Sequence, residues 1–196
     1  MNRKYMKYGI CSENFSLEIT EEVCRKFEAY IKGYDYNLES GGILVGILNP
    51  VHNSIVITDI TEPYSQDKRT RYRFQRMENG HQEAMNRLWE QSNYKKTYLG
   101  EWHTHKQEQP QPSNIDIKNW IKISSKKSNN SERLFFVIIG TKEVGVWTIL
   151  NGEVTKLEML KTNMEGLINE RRKEDEETCN SSSCSKRIMD KSRRKM

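Results

Sequence analysis

The sequence predicts a mixed α/β domain over residues 1–160, a central β-sheet flanked by helices, with a charged tail over 161–196. Three observations carry that reading. Apolar residues recur at helical spacing in separate segments. Short runs rich in β-branched and aromatic residues lie between and after them. From about residue 161 apolar content falls, and charge blocks and a serine run take over.

The elements follow in chain order. LEITEEVCRKFEAYIKGYDY (17–36) places Leu17, Val23, Phe27, Tyr30 and Ile31 at helical spacing, with Thr20 as N-cap and Gly33 as stop. GGILVGIL (41–48) and SIVITDI (54–60) are β-rich runs split by an Asn-Pro turn, which predicts a hairpin. RTRYRFQ (69–75) alternates and reads as one strand, Tyr72 and Phe74 on one side. MENGHQEAMNRLWEQSN (77–93) reads as a helix burying Met85, Leu88 and Trp89. KKTYLGEWHTH (95–105) is a strand, and KQEQPQP is a loop because its prolines forbid regular pairing. SNIDIKNWIKIS (113–124) is a helix capped by Ser113, with Ile117, Trp120 and Ile121 in register. LFFVIIG, VGVWTIL and EVTKLEML are three closing strands, the last two joined across Asn151-Gly152. NMEGLINERRKEDEE reads as a solvated helix and the remainder as disordered, so the tail is expected to be dispensable.

A chain of 196 residues, 35% hydrophobic and 30% charged, fits one domain plus an extension. No run approaches the ~18–20 apolar residues of a membrane span. The basic N-terminus lacks the apolar stretch of a signal peptide, so a cytoplasmic protein with no membrane partner is expected. Cys11, Cys24, Cys179 and Cys184 match no familiar zinc spacing and read as reduced thiols. The net charge of +5 is modest and comes largely from DKRTRYRFQR and KSRRKM. A nucleic-acid module would interleave cations and aromatics over a whole face, and only RTRYRF approaches that. Nucleic acid is therefore not an expected partner.

The chemistry is concentrated in GEWHTHKQEQPQPSNIDIKNW (100–120). Residues i and i+2 of a strand share a face, so His103 and His105 project together. Two imidazoles at a strand end make half a zinc site. Asp116, in the first turn of the helix capped by Ser113, supplies a hard anionic third ligand on a rigid element. A His-His-Asp set leaves one position for water, as catalytic zinc sites do. That water needs a proton acceptor, and Glu39, just before a buried strand, is the candidate. Gly41 and Gly42 beside it would admit a substrate backbone, lining a groove. Ser113 could also donate to a developing oxyanion.

His-Thr-His, seven residues, Ser, two residues, then Asp, with an upstream Glu before a Gly-rich strand, resembles the JAMM (MPN+) zinc metallopeptidases. The resemblance covers roughly residues 10–160, in an element order similar to the MPN fold. It implies one zinc per chain on His103, His105 and Asp116, Glu39 as general acid/base, and Ser113 stabilising the intermediate. GEWHTH followed by PSNIDIKNW is most similar to the small bacterial members, above all the deconjugating peptidases of CBASS anti-phage operons. The DNA-repair-associated branch carries His-Pro-Ser-Gly after the second histidine, where this chain has Lys106 and Gln107. The implied substrate is a protein joined through its C-terminus, a cyclic-nucleotide synthase, with an E1-E2-like transfer enzyme as a further partner. Processing of a ubiquitin-like or sulfur-carrier protein is the alternative, and a non-catalytic MPN binding module the reading of another class. Scaffold members of that fold typically lack the ligands this chain keeps.

Other conspicuous residues read as structural. His52 and His81 are expected to be ordinary turn and helix residues, and Trp102, Trp120 and Trp147 core. Glu101 is expected beside rather than in the metal site. Arg69, Arg71, Arg73 and Arg76 could grip an acidic substrate or simply form a solvated edge.

Overall fold

The computed structural model describes residues 6–9, 15–33, 37–49, 53–126, 133–150 and 152–160. All belong to the first of the chain's two units, Met1–Leu160. The expectations placed on Cys11, His52, Asn151, Cys179, Cys184 and the 161–196 tail lie outside these residues.

The chain opens with two short strands, β1 (Met6–Gly9) and β2 (Ser16–Ile19), and the helix α1 (Glu21–Lys32). The hairpin β3 (Gly41–Asn49) and β4 (Ser54–Ile60) follows, then a smaller one, β5 (Lys68–Thr70) and β6 (Arg73–Gln75). Next come α2 (Glu78–Gln91), β7 (Thr97–Thr104) and α3 (Asn114–Ser124). β8 (Phe135–Ile139), β9 (Val144–Leu150), β10 (Glu153–Lys156) and β11 (Glu158–Met159) close the unit. Nine strands form one mixed sheet in the order β10-β9-β8-β7-β3-β4-β2-β1-β11. β2 runs parallel to β4 and β7 parallel to β8, and the other neighbours are antiparallel. Only Leu157 separates β10 from β11, so the two ends of that order meet and the sheet curls into a ring.

Both faces of the sheet are covered. Phe135, Val137 and Ile139 of β8 join Val23 and Phe27 of α1 in one core, with Leu44, Ile57 and Trp102. Phe136 and Ile138 turn the other way, onto Trp120 of α3, Trp147 and Ile149. A strand buried on two faces needs apolar residues at every position, which is why FFVII does not alternate. Trp120 stacks on Phe136 with ring centroids 4.6 Å apart. Burial of each such aromatic contributes about 2–3 kcal/mol, and this stack fixes α3 against β8. Trp102, Trp120 and Trp147 are all core, as expected.

Several expectations need correction. Leu17 lies in β2, not in a helix; α1 begins at Glu21, and Thr20 holds the cap position without a side-chain cap bond. Residues 69–75 are not one strand but part of the β5–β6 hairpin, with Arg69 opposite Phe74 and Thr70 opposite Arg73. Arg71-Tyr72 forms its turn and contains no Gly or Asn, the residues that usually announce one; Tyr72 is therefore in the turn and 77% exposed. α2 buries His81 and Ala84 rather than Trp89, which is exposed and packs on Tyr94. Residues 153–160 break at Leu157, because β10 pairs with β9 while β11 pairs with β1. On α3, Ile121 is exposed and Ile123 packs inward instead.

Candidate metal centre and the glutamate beside it

The end of β7 sets the geometry. His103 sits between Gly41 of β3 and Ile138 of β8, on the face that α3 covers. His105 follows the strand's last residue, with its N–H donating to the Ile139 carbonyl at 2.9 Å. The two Nε2 atoms face each other at 3.0 Å. Asp116 Oδ1 is 3.4 Å from His103 Nε2, and Asp116 Oδ2 is 3.4 Å from His105 Nε2. The three ligand atoms lie within 4.8 Å of one another. Two imidazole nitrogens and a carboxylate converging on one point form a donor set suited to a divalent transition metal. The three residues therefore fit a zinc ion.

Asp116 is placed by the helix cap. Its N–H donates to Ser113 Oγ at 3.2 Å, and the Ser113 N–H donates to Asp116 Oδ2 at 2.7 Å, a complete capping box. Burial alone would raise the Asp116 carboxyl, but hydrogen bonds from His103, His105 and Ser113 outweigh it and hold it well below the usual range. For His105, burial favours the neutral ring, yet Asp116 and Glu39 together leave its pKa raised.

The loop after His105 is pinned from the β8–β9 turn. Thr141 N–H donates to the Gln107 carbonyl at 2.8 Å and Glu143 N–H to that of Glu108 at 3.1 Å. Gly140 makes this possible, since a Cβ there would lie 2.5 Å from the Gln107 oxygen and 2.8 Å from that of Glu108. No spacing in the sequence marks Gly140 as a support of this loop; only the close approach reveals it.

Glu39 is buried, 5% exposed, two residues before the start of β3. Burial raises its carboxyl to about 7; His105 and the Phe74 N–H pull it down, while Asp116 pushes it up. The strand register puts it at the same end of β7 as the candidate ligands, with Gly41 opposite His103. Its neighbour Ser40 is tied to β7, donating its N–H to Thr104 Oγ1 at 2.9 Å and accepting from the Thr104 N–H at 2.8 Å. The structure therefore brings Glu39, His103, His105, Ser113 and Asp116 to one end of β3, β7 and α3.

Gly41 and Gly42 do not line an open groove. Both are buried, and β3 is an interior strand between β7 and β4. A Cβ on Gly41 would strike the Phe74 ring and come within 2.6 Å of the Trp102 oxygen. On Gly42 it would strike the Thr61 carbonyl. The missing side chains admit Phe74 and Thr61, which is internal packing. The arginines also divide. Arg69 and Arg76 are engaged, with Glu39 and Ser40 and with Glu101 respectively, whereas Arg71 and Arg73 point outward. Glu101 spends its carboxylate on Arg76 at 2.9 Å.

His81 and its neighbours carry a second polar network. His81 Nδ1 lies 2.6 Å from Thr61 Oγ1, and Nε2 lies 3.0 Å from Asp67 Oδ2. Burial lowers the His81 pKa against the pull of Asp67, so the ring is neutral and Nε2–H donates to the carboxylate. Asp67 also accepts from the Tyr64 and Met77 N–H groups, both at 2.8 Å. These residues flank the β5–β6 hairpin, so one carboxylate gathers both of its legs. Among the described residues no helix is long and apolar enough to cross a membrane.

Comparison with known proteins gives a consistent result. Residues 28–150, which contain all five converging residues, match the family described as prokaryotic homologs of the JAB domain. A protein of Escherichia coli (strain TW11681) named CD-NTase/cGAS isopeptidase is 36% identical over 139 residues, 71% of this chain and 85% of that one. Proteins of the same name from Pseudomonas aeruginosa and Vibrio cholerae are 32% and 34% identical, over 62% and 64% of this chain and 76% of each relative. Among solved structures, protein DSY2949 of Desulfitobacterium hafniense shares the fold with a TM-score of 0.51 at 17% identity, over 70% of this chain and 87% of that one.

Proposed function

The chain belongs to the family of prokaryotic JAB-domain homologs, and we propose that within it this protein is a zinc-dependent isopeptidase that releases a conjugated protein at its C-terminus. The observation that carries the proposal is the convergence of His103, His105 and Asp116 within reach of a buried Glu39. A ligand set alone would serve a structural metal. A buried carboxyl with a pKa of about 7 beside it supports catalysis.

A zinc ion held by His103, His105 and Asp116 supplies a Lewis acid that acidifies water and polarises the scissile carbonyl. Glu39, its carboxyl raised by burial, takes a proton as a carboxylate and returns it, as the acid, to the leaving amine. The burial that raises its pKa also keeps bulk water from competing for that proton. Ser113 uses its oxygen to accept from the Asp116 N–H, and its hydroxyl proton is available to the carbonyl oxygen of the substrate.

The substrate we propose is a cyclic-nucleotide synthase whose C-terminus is joined to another protein, as in CBASS defence, with an E1-E2-like enzyme making the bond that this protein cuts. The relatives named CD-NTase/cGAS isopeptidase support it. The test is to incubate the intact chain with its partner synthase fused to a fluorescent protein and to locate the cut by mass spectrometry. Cleavage directly after the last synthase residue, abolished by a zinc chelator and by Glu39→Gln, is the expected outcome. Cleavage of a ubiquitin-like or sulfur-carrier fusion instead would replace the substrate, and no hydrolysis of any fusion by zinc-loaded protein would leave a binding module.

A further inference from the structure

The β5–β6 hairpin has two unlike faces. Arg69 and Phe74, a cross-strand pair, are half-buried and turned toward Glu39, whereas Lys68, Thr70, Arg73 and Gln75 are exposed. The inward side of the hairpin is bonded to residues 39 and 40. The Glu39 N–H donates to the Thr70 carbonyl at 2.8 Å, and the Phe74 backbone lies near enough to the Glu39 carboxyl to pull its pKa down. Arg69 Nε–H donates to the Glu39 carbonyl at 2.8 Å, and Arg69 Nη2 donates to Ser40 Oγ at 2.6 Å.

We infer that Arg69 is a positioning residue for Glu39, fixing the backbone from which the carboxylate reaches the metal site. The inference rests on the isopeptidase reading for what Glu39 does, though not for how it is held. The hydrogen bonds of Arg69 go to the main chain of Glu39 and the side chain of Ser40, not to the carboxylate. Its two donors are set at a fixed angle by the planar guanidinium, and they serve two acceptors one residue apart. An ammonium offers no such fork. Residues 39 and 40 are thereby held between two supports, Thr104 of β7 on one side and Arg69 of β5 on the other. The hairpin cannot drift with its load, because Asp67 ties Tyr64 to Met77 at its root.

A carboxylate displaced by about 1 Å loses on the order of a hundredfold in rate, while substrate binding need not change. The experiment is therefore a split of kcat from KM in the zinc-loaded full chain, with chemical rescue. Arg69→Ala should lower kcat about 10- to 100-fold with KM within about twofold. Guanidinium at non-denaturing concentration should restore part of kcat, and methylammonium should not. Arg69→Gln, which keeps one donor, should fall between the two and serves if the alanine variant does not fold. Hydrogen exchange gives a readout independent of hydrolysis: the Glu39 amide should exchange faster in Arg69→Ala while β8 amides keep their protection. A wild-type kcat in Arg69→Ala, or a loss that guanidinium does not reverse with the Glu39 amide still protected, overturns the inference. If the unaltered protein cleaves no fusion, the isopeptidase reading fails, and the exchange at Glu39 still decides the positioning claim.

Discussion

Ser113 and Asp116 hold each other at the start of α3: each donates its backbone N–H to the other's side chain, at 2.7 Å and 3.2 Å. A helix cap and a candidate metal ligand are thus one structure. The side chain that starts the helix also aims the Asp116 carboxylate, so folding of α3 and assembly of the ligand set are coupled.

That coupling sets the effect of two substitutions. Asp116→Ala removes a ligand, and zinc content should fall from one per chain toward zero. Ser113→Ala removes the acceptor for one N–H but leaves the Ser113 N–H bonded to the carboxylate. Helix stability should drop by about 1 kcal/mol, and zinc affinity should weaken about tenfold, as for other groups that orient a ligand. Competition with a chelating dye and melting of the metal-free protein measure the two effects. Wild-type affinity in Ser113→Ala would separate the cap from the metal.

Glu39 predicts a pH dependence with a definite sign. Its carboxyl is raised from 4.5 to about 7, first by burial. The folded state therefore binds this proton more tightly than the unfolded chain, and stability is lost as pH climbs through that interval. The amide introduced by Glu39→Gln is neutral throughout. In chelator-treated protein, the stability advantage of Glu39→Gln over wild type should widen from pH 5 to pH 8. A constant gap would mean that Glu39 is not desolvated. In the zinc-loaded protein the same group, acting as a base, should give kcat a limb that rises with pH.

The sequence shows most plainly what obeys a local rule. β3, β4, β8 and β9 are long apolar runs, and α3 opens on a Ser-x-x-Asp cap, so these elements and the His103–His105–Asp116 set are readable from spacing alone. β1 and β2 are four residues each and carry polar side chains, and they become strands only by pairing with distant partners, Met159 and Ile57 among them. The Arg71-Tyr72 turn lacks turn residues, and Trp89 finds its partner in Tyr94 rather than in the core. The role of Gly41 was legible only in part. Its small size signals a close approach, but Phe74, the residue that approaches, is brought there by a hairpin no periodicity reveals.

Gly41→Ala tests that packing. The added methyl meets the Phe74 ring and the Trp102 carbonyl oxygen, and the oxygen belongs to a paired strand that cannot rotate away. Overpacking of this kind costs about 1–3 kcal/mol, and the hairpin should lift from Glu39. Both the melting temperature and kcat are expected to fall, with the zinc ligands still present. A variant as stable and active as wild type would show that Phe74 is free to move.

Asp67→Ala should be the most destabilising change outside the apolar core. The side chain is fully buried and ionised, its pKa held low against burial by the Met77 and Tyr64 N–H groups and by His81. Removing it leaves three donors without an acceptor, and each buried orphan costs about 1–3 kcal/mol. Asp67→Asn keeps the shape and one acceptor oxygen, so it should lose less. His81→Ala spares the two backbone bonds and leaves Thr61 Oγ1 with its bond from the Ile43 N–H at 2.9 Å, so it too should be milder than Asp67→Ala. Urea titration of the three variants orders them. If His81→Ala proved as damaging as Asp67→Ala, the histidine rather than the carboxylate would be holding the hairpin's legs together.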